Sequence, residues 1–239
     1  MWLALDTATD LASVALGTRG GDSVTEEQVA GARRHAAALL PLIQKLLERS
    51  GGTLDDVEGI VVSDGPGSFT GLRVGASVAK ALVHARGMPL WTAPSLLVRA
   101  QGVAQTGALV LAISNALRGE VYAAAYRFTP EAIRTELIPS VRKPEDIVAG
   151  DLRPDIIVGE APAGAVALLE QWTGGAVIGP PEGAPHAARL LELVGRPGGA
   201  LQIEAVTQWE PLYGRPAEAQ ARWETAHGRP LPDSVGSPG

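Results

Sequence analysis

The side chains able to do chemistry gather at two places in this chain. Asp6, Thr7 and Thr9 occupy the polar turn Asp6-Thr7-Ala8-Thr9-Asp10 between apolar runs at 2–5 and 12–16. A carboxylate and two hydroxyls crowded at a strand end can present oxygens to a phosphate or its metal ion. Asp and Thr are equally good turn formers that satisfy their own backbone, so both readings stand on the residues alone. The second place is Ser63-Asp64-Gly65-Pro66-Gly67-Ser68-Phe69-Thr70-Gly71-Leu72-Arg73-Val74-Gly75. A β-branched run at 57–62 leads in and an amphipathic run at 72–86 leads out, which predicts a strand, a tight turn and a helix.

The familiar chemistries of such a turn match poorly. Its glycines lack the closing Gly-Lys-Ser/Thr of a Walker loop and the two-residue gap of the dinucleotide fingerprint. Ser68 is not in a Gly-x-Ser-x-Gly elbow, which argues against a hydrolase nucleophile. What the spacing does show is that Gly71, Gly75 and Ala79 lie four apart on one helical stripe, with Leu72, Ala76 and Val83 beside it. A face without bulky side chains lets another backbone approach closely, either within the chain or across a subunit interface.

Elsewhere nothing announces a self-sufficient active site. His35, His84, His186 and His227 are far apart, and none has a second His or a carboxylate at the spacing that puts two metal ligands on one helix face. No metal site is expected. The pairs Glu26-Glu27 and Asp55-Asp56 lie in polar segments beside turns, where solvation explains them. Cysteine is absent, which removes disulfides and thiolate chemistry. A formal net charge of −6 argues against holding nucleic acid unaided. No apolar run approaches the roughly 20 residues a bilayer requires, and the first residues have no basic flank. A soluble, cytoplasmic protein without membrane contact is expected.

The remaining elements follow from periodicity. Strands are expected at 2–5, 12–16, 24–29, 57–62, 89–91, 108–113, 120–128, 136–141 and 156–158. Helices are expected from about Arg33, at 72–86, and at 95–101, 144–149, 161–172 and 184–194. In the first of these, Leu39, Leu40, Ile43, Leu46 and Leu47 line one face, and Pro41 either starts the helix near Leu40 or kinks it. The strand-rich opening recurs after a hinge at 102–107. This gives an α/β chain of two lobes, 1–104 and 105–222. A tail at 223–239 follows, which lacks apolar periodicity beyond Ala226 and is expected to be disordered.

The run Gly65-Pro66-Gly67-Ser68-Phe69-Thr70-Gly71-Leu72-Arg73-Val74-Gly75 resembles the hallmark of the TsaB family, also called YeaZ. Supporting stretches are Leu5–Thr9 with Ala12–Leu16, Arg34-His35 with Leu39-Leu40-Pro41, Arg118–Ala123, and Pro211-Leu212-Tyr213 with Arg215 and Ala219. Two departures stand out. Asn115 and Leu117 replace a usual Asp and Arg, and Leu97-Val98 replaces a Glu-Ala pair.

The resemblance implies the ASKHA fold (actin-like ATPase, ribonuclease-H-like), with two tandem lobes each built on a mixed sheet flanked by helices. It further implies a non-catalytic scaffold in the synthesis of N6-threonylcarbamoyladenosine at adenosine 37 of tRNA. There the chain would pair with TsaD, the subunit that transfers the threonylcarbamoyl group, and the ATPase TsaE would join them. tRNA would be met through the complex, and the chain alone would form a homodimer. Docking would use Arg34, His35, Leu39, Gly71, Leu72, Arg73, Gly75, Ala76, Ala79 and Val83. On this view Gly75→Leu abolishes docking and leaves the monomer folded. TsaD holds its metal with a His-x-x-x-His pair, and Ser95 and Arg99 stand in the corresponding positions here. No tightly bound cofactor is implied, with ATP or ADP held weakly or at the interface. The rival readings are an active ASKHA ATPase or phosphotransferase built on Asp6, Thr7 and Thr9, and a protease, for which no constellation is found.

Overall fold

A computed structural model describes residues 1–31 and 35–214. Among these residues the chain runs β1 (Trp2–Asp6), β2 (Leu11–Gly17), β3 (Thr25–Ala30), α1 (His35–Ser50), a 3₁₀ turn (Leu54–Asp56), β4 (Gly59–Ser63), α2 (Phe69–Arg86), β5 (Leu90–Ala93) and α3 (Ser95–Gln101). The pattern then repeats as β6 (Leu109–Asn115), β7 (Val121–Phe128), β8 (Ile133–Arg142), α4 (Pro144–Ala149), β9 (Ile156–Gly159), α5 (Ala163–Thr173) and β10 (Val177–Ile178). The last described elements are α6 (Ala187–Leu193) and β11 (Leu201–Ile203).

Two sheets result, in the orders β11-β5-β4-β1-β2-β3 and β10-β9-β6-β7-β8. Each contains an antiparallel meander extended by parallel strands on one side, a duplicated ribonuclease-H-like plan. The central strands are covered on both faces, so they read as continuous apolar runs instead of alternating ones. Along β1, Leu3 and Leu5 pack toward α1 and α2, while Trp2 and Ala4 face the second sheet. Between the sheets lie α3 and α6, against Ala4, Ala15 and Ala93 of one and Ala112 and Ala124 of the other. Small side chains on both inner faces leave room for that helix layer. On the far side, α4 and α5 cover the second sheet through Ile147 and Leu169.

The chain does not stay in the second lobe up to residue 222, as chain order suggested. Helix α6 packs on β1, β2 and β4, and β11 pairs antiparallel with β5 of the first sheet, Leu201 opposite Thr92 and Ile203 opposite Leu90. Pairing there covers what would be an open sheet edge. Strands as short as β10 and β11, of two and three residues, carry too little periodicity to be seen in sequence. Of the two expectations for Pro41, a helix start near Leu40 does not hold. Helix α1 begins at His35 and carries an exposed Pro41 within it. The expected tail at 223–239, Arg215 and Ala219 lie outside the described residues.

The β6–β7 turn carries Asn115 and Leu117, one of the two departures from the family pattern the sequence resembles. Asn115 Oδ1 accepts the Leu117 amide at 2.9 Å, and Leu117 and Arg118 hold φ of 65° and 54°. A left-handed L-residue crowds its Cβ against the following carbonyl, at roughly 1–2 kcal/mol. Leu117 is 54% exposed, so burial offsets little of this. Leu117→Gly is expected to stabilise the chain by about 1 kcal/mol in urea unfolding, after the entropic cost of glycine is subtracted; a loss of stability would refute this account of the turn.

Candidate partner-docking face and interlobe site

The glycine-rich run is seated against the β1–β2 turn of its own chain. A Cβ at Gly71 would collide with the Thr7 carbonyl oxygen, one at Gly75 with the Thr7 hydroxyl, and one at Gly67 with the Ala8 carbonyl oxygen. Gly71 and Gly75 are one helical turn apart and together form the hollow that takes Thr7. Ser68 caps α2, its hydroxyl accepting from the Gly71 amide at 3.2 Å, so the helix starts at Phe69, ahead of the Leu72 that periodicity suggested.

The turn itself is bonded on every side. Asp64 N donates to Ala93 O at 3.0 Å, Gly65 N to Ser95 Oγ at 3.0 Å, and Ser68 N to Ala8 O at 2.7 Å. The Leu212 amide donates to Asp64 O at 2.6 Å, and Gly65, with φ of 105°, leaves no room for a Cβ beneath the Leu212 carbonyl. The amides of Asp64, Gly65, Ser68 and Gly71 are therefore committed inside the chain instead of being offered to a phosphate. Burial pushes the Asp64 carboxyl up to about 6 against the pull of a Thr92 hydrogen bond.

The expectation that the small-residue stripe faces a second subunit is corrected by these contacts. Leu39, Gly71, Leu72, Gly75, Ala76, Ala79 and Val83 are all buried within the single chain. They shape α1 and α2 and are not themselves a contact surface. Arg34 lies outside the described residues, as does the side chain of His35. Arg73 is exposed. What α2 turns outward is another stripe, Val74, Val78 and Leu82, four apart and half-buried, with Ser77, Ala81 and Ala85 exposed beside it. Helix α1 packs alongside and holds Leu40 55% exposed.

One end of this face is framed by residues 205–214, which fold back over α2. The Arg73 guanidinium lies 4.1 Å from the Phe69 ring centroid and 5.6 Å from that of Tyr213, and the two rings are 4.6 Å apart. Lys80 Nζ donates to Glu210 Oε1 at 2.8 Å and sits 5.6 Å from the Trp209 ring, while Tyr213 OH donates to Glu210 Oε2 at 3.1 Å. Pro211-Leu212-Tyr213 thus clasps the glycine-rich run, a role its position near the end of the chain did not reveal.

Asp6, Thr7 and Thr9 do not converge. Thr7 points into α2, and Thr9 Oγ1 accepts the Leu11 amide at 3.2 Å within its own turn. Asp6 points between the sheets, where its Oδ1 accepts the Ala8 amide at 3.1 Å. Burial drives its carboxyl above the ordinary range, against the Ser63 hydroxyl, the Ala8 amide and the charge of Arg99. A second polar contact, unanticipated because its members are far apart in sequence, ties α6 to the first sheet. His186 Nδ1 lies 3.3 Å from Glu26 Oε2, Glu26 Oε1 accepts the Ala188 amide at 3.1 Å, and Ser13 Oγ accepts the Ala187 amide at 2.8 Å.

Two ribonuclease-H-like lobes with a glycine-rich strand–turn–helix in the first define a protein of the ASKHA class. The model of the TsaD family, tRNA N6-adenosine threonylcarbamoyltransferase, matches residues 25–163. The TsaB protein of Escherichia coli, named for tRNA threonylcarbamoyladenosine biosynthesis, is 38% identical over 60% of this chain and 62% of its own length. Its Haemophilus influenzae namesake is 38% identical over 50% and 51%. This chain therefore spans between half and two thirds of these relatives. The solved structure of YeaZ from Pseudomonas aeruginosa is 31% identical, covers 81% of this chain and 90% of its own, and superposes with a TM-score of 0.67. The chain belongs to the TsaB (YeaZ) family.

Two expectations follow from the site. Gly75→Leu should cost about 3 kcal/mol or more of stability in denaturant unfolding, because overpacking falls on a backbone-supported hydroxyl; an unaltered midpoint would return the stripe to the interface. The His186–Glu26 contact should make stability depend on pH. The hydrogen bond that His186 donates to Glu26 raises the His186 pKa above 6.5, so its contribution is complete below 6.5 and fades as pH climbs through the raised value. Burial raises the Glu26 carboxyl, but the hydrogen bonds of His186 and Ala188 N carry it below 4.5, so its share fades as pH falls through that lowered value. The melting temperature of wild type minus His186→Gln should thus be largest between 4.5 and 6.5 and shrink in alkali; a flat difference would sink the contact's role.

Proposed function

We propose that this chain is the docking subunit of the machinery that makes N6-threonylcarbamoyladenosine in tRNA, and that it binds a TsaD-type transferase through the outward side of α1 and α2. The observation that carries the reading is the Val74, Val78 and Leu82 stripe beside exposed Leu40. Half-buried aliphatic residues at regular spacing on paired helices suit the helix-on-helix packing of a stable interface. Family membership supplies the process, since its named relatives serve threonylcarbamoyladenosine biosynthesis. Arg73, held over Phe69 and near Tyr213, would set the polar rim.

In this reading the chain contributes shape and leaves the transfer step to its partner. A TsaE-type ATPase joins the pair, tRNA is met through the complex, and without the partner the same face closes on a second copy as a homodimer. Nucleotide is held weakly or at the interface. The chain works in the cytoplasm. Among the described residues no helix is long and apolar enough to cross a membrane.

The test is co-purification and calorimetric titration with the TsaD-type protein of the same genome. Val78→Asp should weaken binding by at least about 30-fold, the ~2 kcal/mol of a hot spot, with the chain still folded by circular dichroism because Val78 is only half-buried. Undiminished binding by Val78→Asp would overturn the docking face.

A further inference from the structure

The ASKHA class places a metal-bound nucleotide in the cleft between its lobes, and the residues at that place in this chain do not fit one. A side chain of permanent positive charge already stands there. Arg99, on α3 between the sheets, is 2% exposed and heads the large side chains that are fully buried. Its Nη1 donates to Gly183 O at 2.9 Å and its Nη2 to Glu160 Oε1 at 3.2 Å. Both acceptors follow strands of the second sheet, β9 and β10. The base of α3 is fixed to the first lobe, since Ser95 Oγ accepts the Gly65 amide and Ser95 N donates to Gly65 O at 2.7 Å. The fully buried carboxylate of Asp6, at the end of β1, lies within electrostatic reach. Gly159, with φ of 128°, passes so close that a Cβ would stand 3.1 Å from Arg99 Nη1. A helix anchored to the first lobe at Ser95 thus sends one guanidinium to the strand ends of the second. A divalent cation beside Asp6 would have to share this low-dielectric space with it.

We propose that Arg99 is an internal cation that locks the two lobes at one angle, taking the place of the ligand whose binding would otherwise set that angle. Arginine suits the task because its donors form a rigid fork that reaches two acceptors at once and it stays charged when buried. The lobes of this chain are held by a covalent part of the fold, and their angle is indifferent to Mg–ATP. The competing account is that the apolar layer around α3 and α6 fixes the angle unaided, and the two differ in what removal of Arg99 does.

The absence of cysteine allows clean spin labelling at cysteines introduced for the exposed residues His84 on α2 and Gln171 on α5. With the doubly labelled chain diluted in an excess of unlabelled chain, electron–electron double resonance should give one narrow distance within the otherwise unaltered chain, the same with and without excess Mg–ATP. Arg99→Ala should broaden it and lengthen its mean by several ångströms, and millimolar guanidinium should restore the narrow peak by filling the vacated space. Arg99→Lys, with charge but no fork, should fall between. Glu160→Gln, which removes the charge of the half-exposed partner and keeps its shape, gives a milder broadening and serves if Arg99→Ala fails to fold. An unchanged distance in Arg99→Ala, or in Glu160→Gln where that variant stands in, would overturn the lock, as would a wild-type distance that moves on adding Mg–ATP.

Discussion

The contact between Thr7 and helix α2 is the constraint on which the first lobe rests. A strand end and a helix come together closely enough that neither Gly71 nor Gly75 can carry a side chain. That approach fixes where α2 lies on the sheet, and so which of its residues are buried and which face outward. It also fixes the turn at 64–68, which binds Ala8 on one side, Ala93 and Ser95 on another, and Leu212 above. Most of the glycine-rich run is thereby spoken for by the fold. Its influence on function is indirect, through the helix face it orients.

The interior between the sheets obeys a second constraint, which is charge balance away from water. A buried guanidinium, a buried carboxylate and a half-exposed carboxylate occupy the end of the cleft, and both carboxylates favour the charged form of the guanidinium. Unpaired, the buried guanidinium would cost several kcal/mol. Together they tie elements that are distant in sequence: α3, the end of β1, the end of β9 and the loop at 183. The His186–Glu26 contact does a similar service for α6, which belongs to the first sheet although it follows the second in the chain. The lobes are thus interleaved, with α6 and β11 returning to the first sheet, and are not two beads on a hinge.

Much of the fold could be read from residue patterns. Doubly covered strands announce themselves as apolar runs, and β1, β2, β4, β6 and β7 fall within a residue or two of their expected limits. Helix ends were less legible. The α2 start depends on the Ser68 cap, and α1 runs through Pro41 because the lost amide bond lies on an exposed side. The two shortest strands exist only because a neighbour offers an edge to pair with. At the candidate site, the glycine spacing was visible and correctly implied a close backbone approach, but not whose backbone. The aromatic and charged residues at 209–213 lie more than 120 positions from the helix they cover, so no local pattern could join them to Phe69, Arg73 and Lys80.

By itself the sequence determined the class of fold, its duplication and its family, because hydrophobic periodicity and an eleven-residue motif are local properties of the chain. It also determined that some backbone must nest against Gly71 and Gly75, since only the absence of Cβ makes that possible. Tertiary structure alone decided that the nested backbone is the chain's own at Thr7, that the outward stripe is Val74, Val78 and Leu82, and that Arg99 stands between the lobes. The reason is physical. Which surfaces are used up inside a fold, and which charges meet in its interior, are settled by contacts between residues tens to more than a hundred positions apart.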